Sequence, residues 1–121
     1  MDRSTIAAVA TPIGRGGIGI IRMSGSESLA VATKIFRPGT LRAKDANLAS
    51  KRRPPVTMRS HQMLYGHIVD PSGSSVVDEV MLVAMKAPRS YTREDVVEIH
   101  SHSGPAILHE TLSLILRLGP R

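Results

Sequence analysis

A chain of 121 residues with 41% hydrophobic content is sized for one domain around one modest core. Phe36, Tyr65 and Tyr91 are the only aromatics, so that core is aliphatic, and the lack of cysteine excludes disulfides and thiolate metal sites and fits the cytoplasm. No apolar run reaches the roughly 18 residues of a membrane span, and Met1-Asp2-Arg3-Ser4 is not the start of a signal peptide.

The charge is local. Residues 37–60 hold seven basic side chains (Arg37, Arg42, Lys44, Lys51, Arg52, Arg53, Arg59) against Asp45 alone, which accounts for the whole net charge of +6. Ile6–Ala10 opens the chain as a short apolar strand, and Thr11–Gly17 breaks it with turn residues. Ile18–Met23 reads as a second strand rich in β-branched residues. Ser24-Gly25-Ser26 ends it and, with Glu27, signals a helix start. Leu29, Ala32, Thr33 and Phe36 recur at helical spacing, so a helix is expected over Glu27–Phe36, closed by Pro38-Gly39.

Residues 37–60 have no apolar period, and Pro54-Pro55 with the charge excess predicts an exposed, mobile connection. Met63–Val69 and Val76–Ala87 are expected to form an antiparallel hairpin about the turn Asp70-Pro71-Ser72-Gly73. After a break at Pro88-Arg89-Ser90, Val96–His100 is a strand. Pro105–Leu118 is a helix with Ile107, Leu108, Leu112, Ile115 and Leu116 on its apolar face, stopped by Gly119-Pro120. The order β-β-α-loop-β-β-β-α lacks strict β-α alternation and predicts an α+β fold, with helices on one face of a mixed sheet.

Gly14-Arg15-Gly16-Gly17-Ile18-Gly19 spells G-x-G-x-x-G, but a dinucleotide fingerprint needs a helix opening on its last glycine. Here the glycines run into a strand, so a tight hairpin turn is favoured, with close backbone approach as the glycines' second use. No G-x-x-x-x-G-K-[ST] occurs, which leaves the chain without a phosphate loop for GTP.

Glu98, His100 and His102 alternate with Val97 and Ile99, so the three share the strand face turned away from the core. With His109 they have the chemistry of metal ligands, but the strand ends at Ser103-Gly104-Pro105 and no further acid completes a set. An exposed polar face is the favoured reading, and no metal site or catalytic residue is assigned. The Lys51-Arg52-Arg53 cluster could meet RNA phosphates or simply be solvated; no aromatics interleave with it for base stacking.

Three segments carry a family resemblance. Thr5–Gly25 resembles the opening "TI-A-ATP-GRGGIGI-R-SG" of the MnmE/TrmE family of tRNA modification GTPases. Tyr65-Gly66-His67-Ile68 with Val77-Asp78-Glu79-Val80 resembles its "YGHI…DEV" hairpin, and Ala87–His100 with His102–Pro105 resembles "APRSYTGEDVVEIHCHGGP". The resemblance implies the family's N-terminal folate-binding domain, of β(2)-α-β(3)-α type, forming a homodimer that exchanges its first strands. It implies 5-formyl- or 5,10-methylene-tetrahydrofolate as cofactor, with the family's folate-contacting arginine and glutamate at Arg22 and Glu98. GTP, Mg and K would belong to a GTPase domain that, like the helical domain, is absent from these 121 residues. The implied partners are the flavoprotein MnmG (GidA) and tRNA, whose wobble uridine receives an aminomethyl-type group; no membrane is implied. Two glycines of the motif are replaced: Arg93 and Ser103 stand where the family has glycine. A positive φ at either would cost on the order of 1 kcal/mol.

Overall fold

The computed structural model describes residues 4–10, 17–39, 58–72, 75–102 and 104–121. The turn glycines Gly14 and Gly16, the basic stretch 40–57, Gly73 and Ser103 lie outside the described residues.

Six strands and two helices are formed in the order β1 (Ile6–Val9), β2 (Ile18–Ser24), α1 (Ser28–Ile35), β3 (Phe36–Pro38), β4 (Met63–Val69), β5 (Val76–Met85), β6 (Val96–His102) and α2 (Pro105–Arg117). The strands make one sheet in the order β1-β2-β6-β5-β4-β3. The α+β class is as expected, but the sheet corrects the mixed one foreseen. Every ladder among the described strands is antiparallel, and the parallel pairing is an isolated bridge from Ser60 to Ala84.

Period-two alternation builds the core. Ile21 and Met23 of β2, Val97 and Ile99 of β6, Val80, Leu82 and Ala84 of β5 and Ile68 of β4 all point to one face and are buried. They pack in a single cluster with Val31, Ala32 and Ile35 of α1 and Leu108, Leu114 and Ile115 of α2. Both helices therefore cover that face, and among the described residues no helix lies on the opposite face of the sheet. Burying a side chain such as Ile99 on a central strand contributes about 1.5–3 kcal/mol.

The helix ends show how local chemistry is resolved. The serines near residue 26 do not cap α1, correcting the expected start: its N-cap is Glu27, whose backbone N–H donates to Thr5 Oγ1 at 3.0 Å. Ahead of it Gly25 sits at φ 140°, and a Cβ there would lie 2.6 Å from the Thr5 Cα. Pro105 opens α2 at its first turn as expected, and Gly119 at φ 126° closes it. The apolar face of α2 is rotated from the expected one. Leu114 and Thr111 are buried, whereas Leu116 is 42% exposed.

A further correction concerns residues 36–39 and 58–60, which were expected in the mobile connection or at the helix end. Phe36 leaves the helix to start β3, fully buried opposite Ile68. Gly66, opposite Pro38, has no room for a Cβ, which would fall 2.5 Å from the Phe36 ring. Arg37 folds back so that its Nη1 donates to the carbonyl of Phe36 at 3.1 Å and to those of Thr33 and Lys34 at 3.4 Å, serving as a cation at the helix C-terminus. Met58 is buried in the core.

At the outer edge of the sheet, Arg121 bonds β1 in both directions. Its N–H donates to the Thr5 carbonyl at 2.9 Å, and its carbonyl accepts from Ala7 N–H at 2.7 Å. No helix of the described residues is long and apolar enough to cross a membrane.

Candidate functional site

The helix-free face gathers the polar residues that alternation turned outward. Cross-strand register places Arg22 of β2 directly opposite Glu98 of β6, with Ile20 opposite His100 and Ile18 opposite His102. On the other flank of β6, Met81 of β5 faces His100 and Val83 faces Glu98. Beyond them Tyr65 of β4 faces Met81.

The two residues singled out from the family motif are thus brought together, and they bind each other. Arg22 donates to Glu98 Oε2 from Nε at 2.8 Å and from Nη2 at 2.6 Å. The other oxygen, Oε1, lies 3.0 Å from His100 Nε2. The Glu98 side chain is only 10% exposed, whereas that of Arg22 is 38% exposed. Burial alone would raise the Glu98 pKa, but the hydrogen bonds from His100 and Arg22, helped by their charges, outweigh it and hold the carboxyl below its ordinary 4.5.

Arg22 is also covered from above. The Tyr91 ring stacks on its guanidinium, with the centroid 5.2 Å from Cζ. Tyr91 belongs to the connection between β5 and β6, which is tied down on both sides. Thr92 Oγ1 and Ser24 Oγ are 2.6 Å apart, Asp95 accepts Ala87 N–H at 2.9 Å, and the Asp95 carbonyl accepts Gly25 N–H at 2.9 Å. Within this connection Arg93 has φ 63°, the left-handed conformation suited to the glycine of the family motif.

Beside the pair lies an open cleft of about 330 Å³, whose wall includes Ile18, Tyr65, Glu79, Met81, His100 and His102. Arg22 and Glu98 border it through His100 rather than forming its wall. Tyr65 donates its hydroxyl proton to Glu79 at 2.9 Å, and this bond above all pushes the phenol above its ordinary 10.0. Glu98, His100 and His102 do share a face, as alternation required, but their partners diverge. His100 turns to Glu98, whereas His102 Nδ1 donates to Asp78 at 2.7 Å. Among the described residues no three His, Asp or Glu side chains converge as metal ligands.

Sequence reasoning did not find Tyr91, Tyr65, Glu79 or Asp78. Alternation along Val76–Met85 was the available signal for Glu79, which it puts on the same face as Met81. Nothing local could announce Tyr91, which lies in an irregular connection.

The chain matches the model of the family described as "GTP-binding protein TrmE N-terminus" over residues 5–121. It is 47% identical over 117 residues to the tRNA modification GTPase MnmE of Streptococcus sanguinis and 48% identical over 117 residues to that of Streptococcus agalactiae. The protein of the same name from Streptococcus pneumoniae is 47% identical over 117 residues. Each alignment covers 97% of this chain and 22% of the relative, so the chain spans about a fifth of the length of these proteins. With a family match over almost its whole length, the chain belongs to the TrmE N-terminal domain family.

Proposed function

We propose that this chain is the one-carbon module of a tRNA-modifying GTPase, binding 5-formyl- or 5,10-methylene-tetrahydrofolate on the helix-free face of its sheet. The observation that carries the reading is Glu98: a carboxylate 8% exposed yet turned to the face that carries no helix among the described residues, and kept anionic by Arg22 and His100. A pterin offers adjacent N–H donors that such a carboxylate accepts in pairs. Glu98 has lone pairs to spare beyond its present bonds, and Arg22 can turn from it to a pterin oxygen or a glutamyl carboxylate. Tyr91, already on the guanidinium, supplies a flat apolar surface next to that position.

In the whole protein this module works with a GTPase domain that uses GTP, Mg and K, with the flavoprotein MnmG and with tRNA in the cytoplasm, the folate supplying the carbon added at the wobble uridine. It does so as a homodimer.

Calorimetry with 5-formyltetrahydrofolate tests the site. The chain binds, and Glu98→Gln, which keeps the shape but not the two acceptor oxygens, loses at least about tenfold in affinity, the equivalent of one charge-assisted hydrogen bond. Equal affinity in both removes Glu98 from the site. Light scattering tests the dimer. A stable dimer without folate affinity would favour a dimerisation scaffold, a reading to which the mutual satisfaction of Arg22 and Glu98 lends a specific observation.

A further inference from the structure

The cleft wall holds a histidine that neither the folate contacts nor the core requires. His102 ends β6, and its side chain is 65% exposed beside Ile18. Asp78 of β5, only 8% exposed, grips it twice. Asp78 Oδ2 accepts the His102 backbone N–H at 2.9 Å, and Oδ1 lies 2.7 Å from the ring Nδ1. A carboxylate is acceptor-only, so Nδ1 carries the hydrogen. The tautomer and the ring's orientation are then fixed, and Nε2 alone is left to act.

Asp78 is itself anchored. It sits where β4 and β5 pair, opposite Ile68, and its two bonds to one residue leave the imidazole little freedom. The other ionisable groups of the cleft among the described residues are Tyr65 on β4, Glu79 on β5 and His100 on β6. Among the described residues, Ile18 of β2 and the preceding Gly17 contribute to the wall, so no cation from that strand enters it.

From this arrangement we infer that His102 is a proton-transfer residue: Asp78 orients its imidazole so that Nε2 delivers a proton to the one-carbon ligand of the cleft. The inference rests on the folate reading above and deepens it. Glu98 and His102 are four residues apart on one strand face, about 13 Å along the strand. With the pterin's N–H edge on Glu98, a ligand lying along β6 toward the cleft would bring the nitrogens that hold the transferable carbon within reach of His102.

A 5,10-methylene-tetrahydrofolate held there would supply the one-carbon group; as its N10–carbon bond opened, the N5 lone pair would take up the carbon and N10 would keep the electron pair of the broken bond. The proton would pass from Nε2 of the imidazolium to N10, leaving a neutral imidazole whose hydrogen is on Nδ1. One positive charge would move from the ring to the ligand, and none would be created. Asp78 compensates the ring's charge before the transfer and keeps the tautomer afterwards.

The test measures exchange of labelled formaldehyde into 5,10-methylene-tetrahydrofolate, expressed per bound folate, with binding of 5-formyltetrahydrofolate followed by calorimetry on the same samples. The chain accelerates exchange, and His102→Gln lowers that rate about a hundredfold. Asp78→Asn gives a sharper readout. Its amide oxygen must stay on the His102 backbone N–H, so its NH₂ meets Nδ1 and forces the hydrogen to Nε2. Nitrogen NMR then reports an Nδ1–H ring in the parent chain and an Nε2–H ring in Asp78→Asn, with exchange lost alongside. Folate binding with no acceleration, or with acceleration kept in His102→Gln, overturns the proton-transfer role and leaves the folate reading standing. An Nε2–H ring in the parent chain overturns it as well. No folate binding by the parent chain brings down both.

Discussion

Arg93 holds φ at 63° in an exposed position, where a side chain pays a steric cost that glycine avoids. Arg93→Gly is therefore expected to stabilise the chain by about 1 kcal/mol in denaturant unfolding. Arg93→Ala separates backbone from charge: it keeps the Cβ and is expected to leave the midpoint near that of the parent. At Glu98 the expectation concerns pH. Its folded-state pKa lies below the ordinary 4.5, so its contribution to stability is complete above that value and is lost as pH falls through the lower, folded value. Thermal melts should accordingly show the parent chain losing stability below about pH 4.5, and Glu98→Gln, weaker at neutral pH, losing less over the same acid range. Both positions were legible in the sequence, Arg93 as a break in a motif and Glu98 as one of three alternating polar residues. What the sequence hid was the partner. Arg22 and Glu98 are 76 residues apart, and only the β2–β6 register shows that they neutralise each other before any ligand arrives.

Among the elements, α2 shows where periodicity runs out of information. Leu108, Leu112, Leu114, Ile115 and Leu116 are apolar over too wide an arc for spacing to choose one face. The sheet chooses the arc that includes Leu114 and, unannounced by any apolar signal, Thr111. Thr111 is fully buried, and its hydroxyl has no hydrogen-bond partner among the described residues. Thr111→Val keeps the shape and removes an unsatisfied polar atom, so a gain of about 1 kcal/mol in equilibrium unfolding is expected. A loss there would mean that the hydroxyl is satisfied. β3 was missed for a related reason. Phe36 extends the helical spacing of α1 by one step, and Arg37 resembles the basic stretch that follows. Their real roles come from β4: Gly66 makes room for the Phe36 ring, and the Arg37 side chain doubles back on the helix. A three-residue strand has too few alternations to be seen before its partner is known.

For the molecule as a whole, composition and element order were sufficient for the class, since helices interspersed with adjacent strands must share one face of a sheet to bury their apolar stripes. Strand order was not available from the same source. The placement of β6 between β2 and β5 determines which side chains meet on the open face. The paired bonds between Arg121 and β1 carry a further consequence for engineering. They hold Thr5 and Arg121 side by side, so the path of the backbone is nearly a ring. A circular permutant that joins residues 121 and 4 through a short glycine linker and opens at the Pro71-Ser72 turn should fold cooperatively. Its melting midpoint is expected within about 5 °C of the parent, a change of about 1 kcal/mol; loss of the cooperative transition would show that the order of connection matters. The same adjacency suits the domain to being carried as a cassette within a loop of another protein, entering and leaving its host at one point.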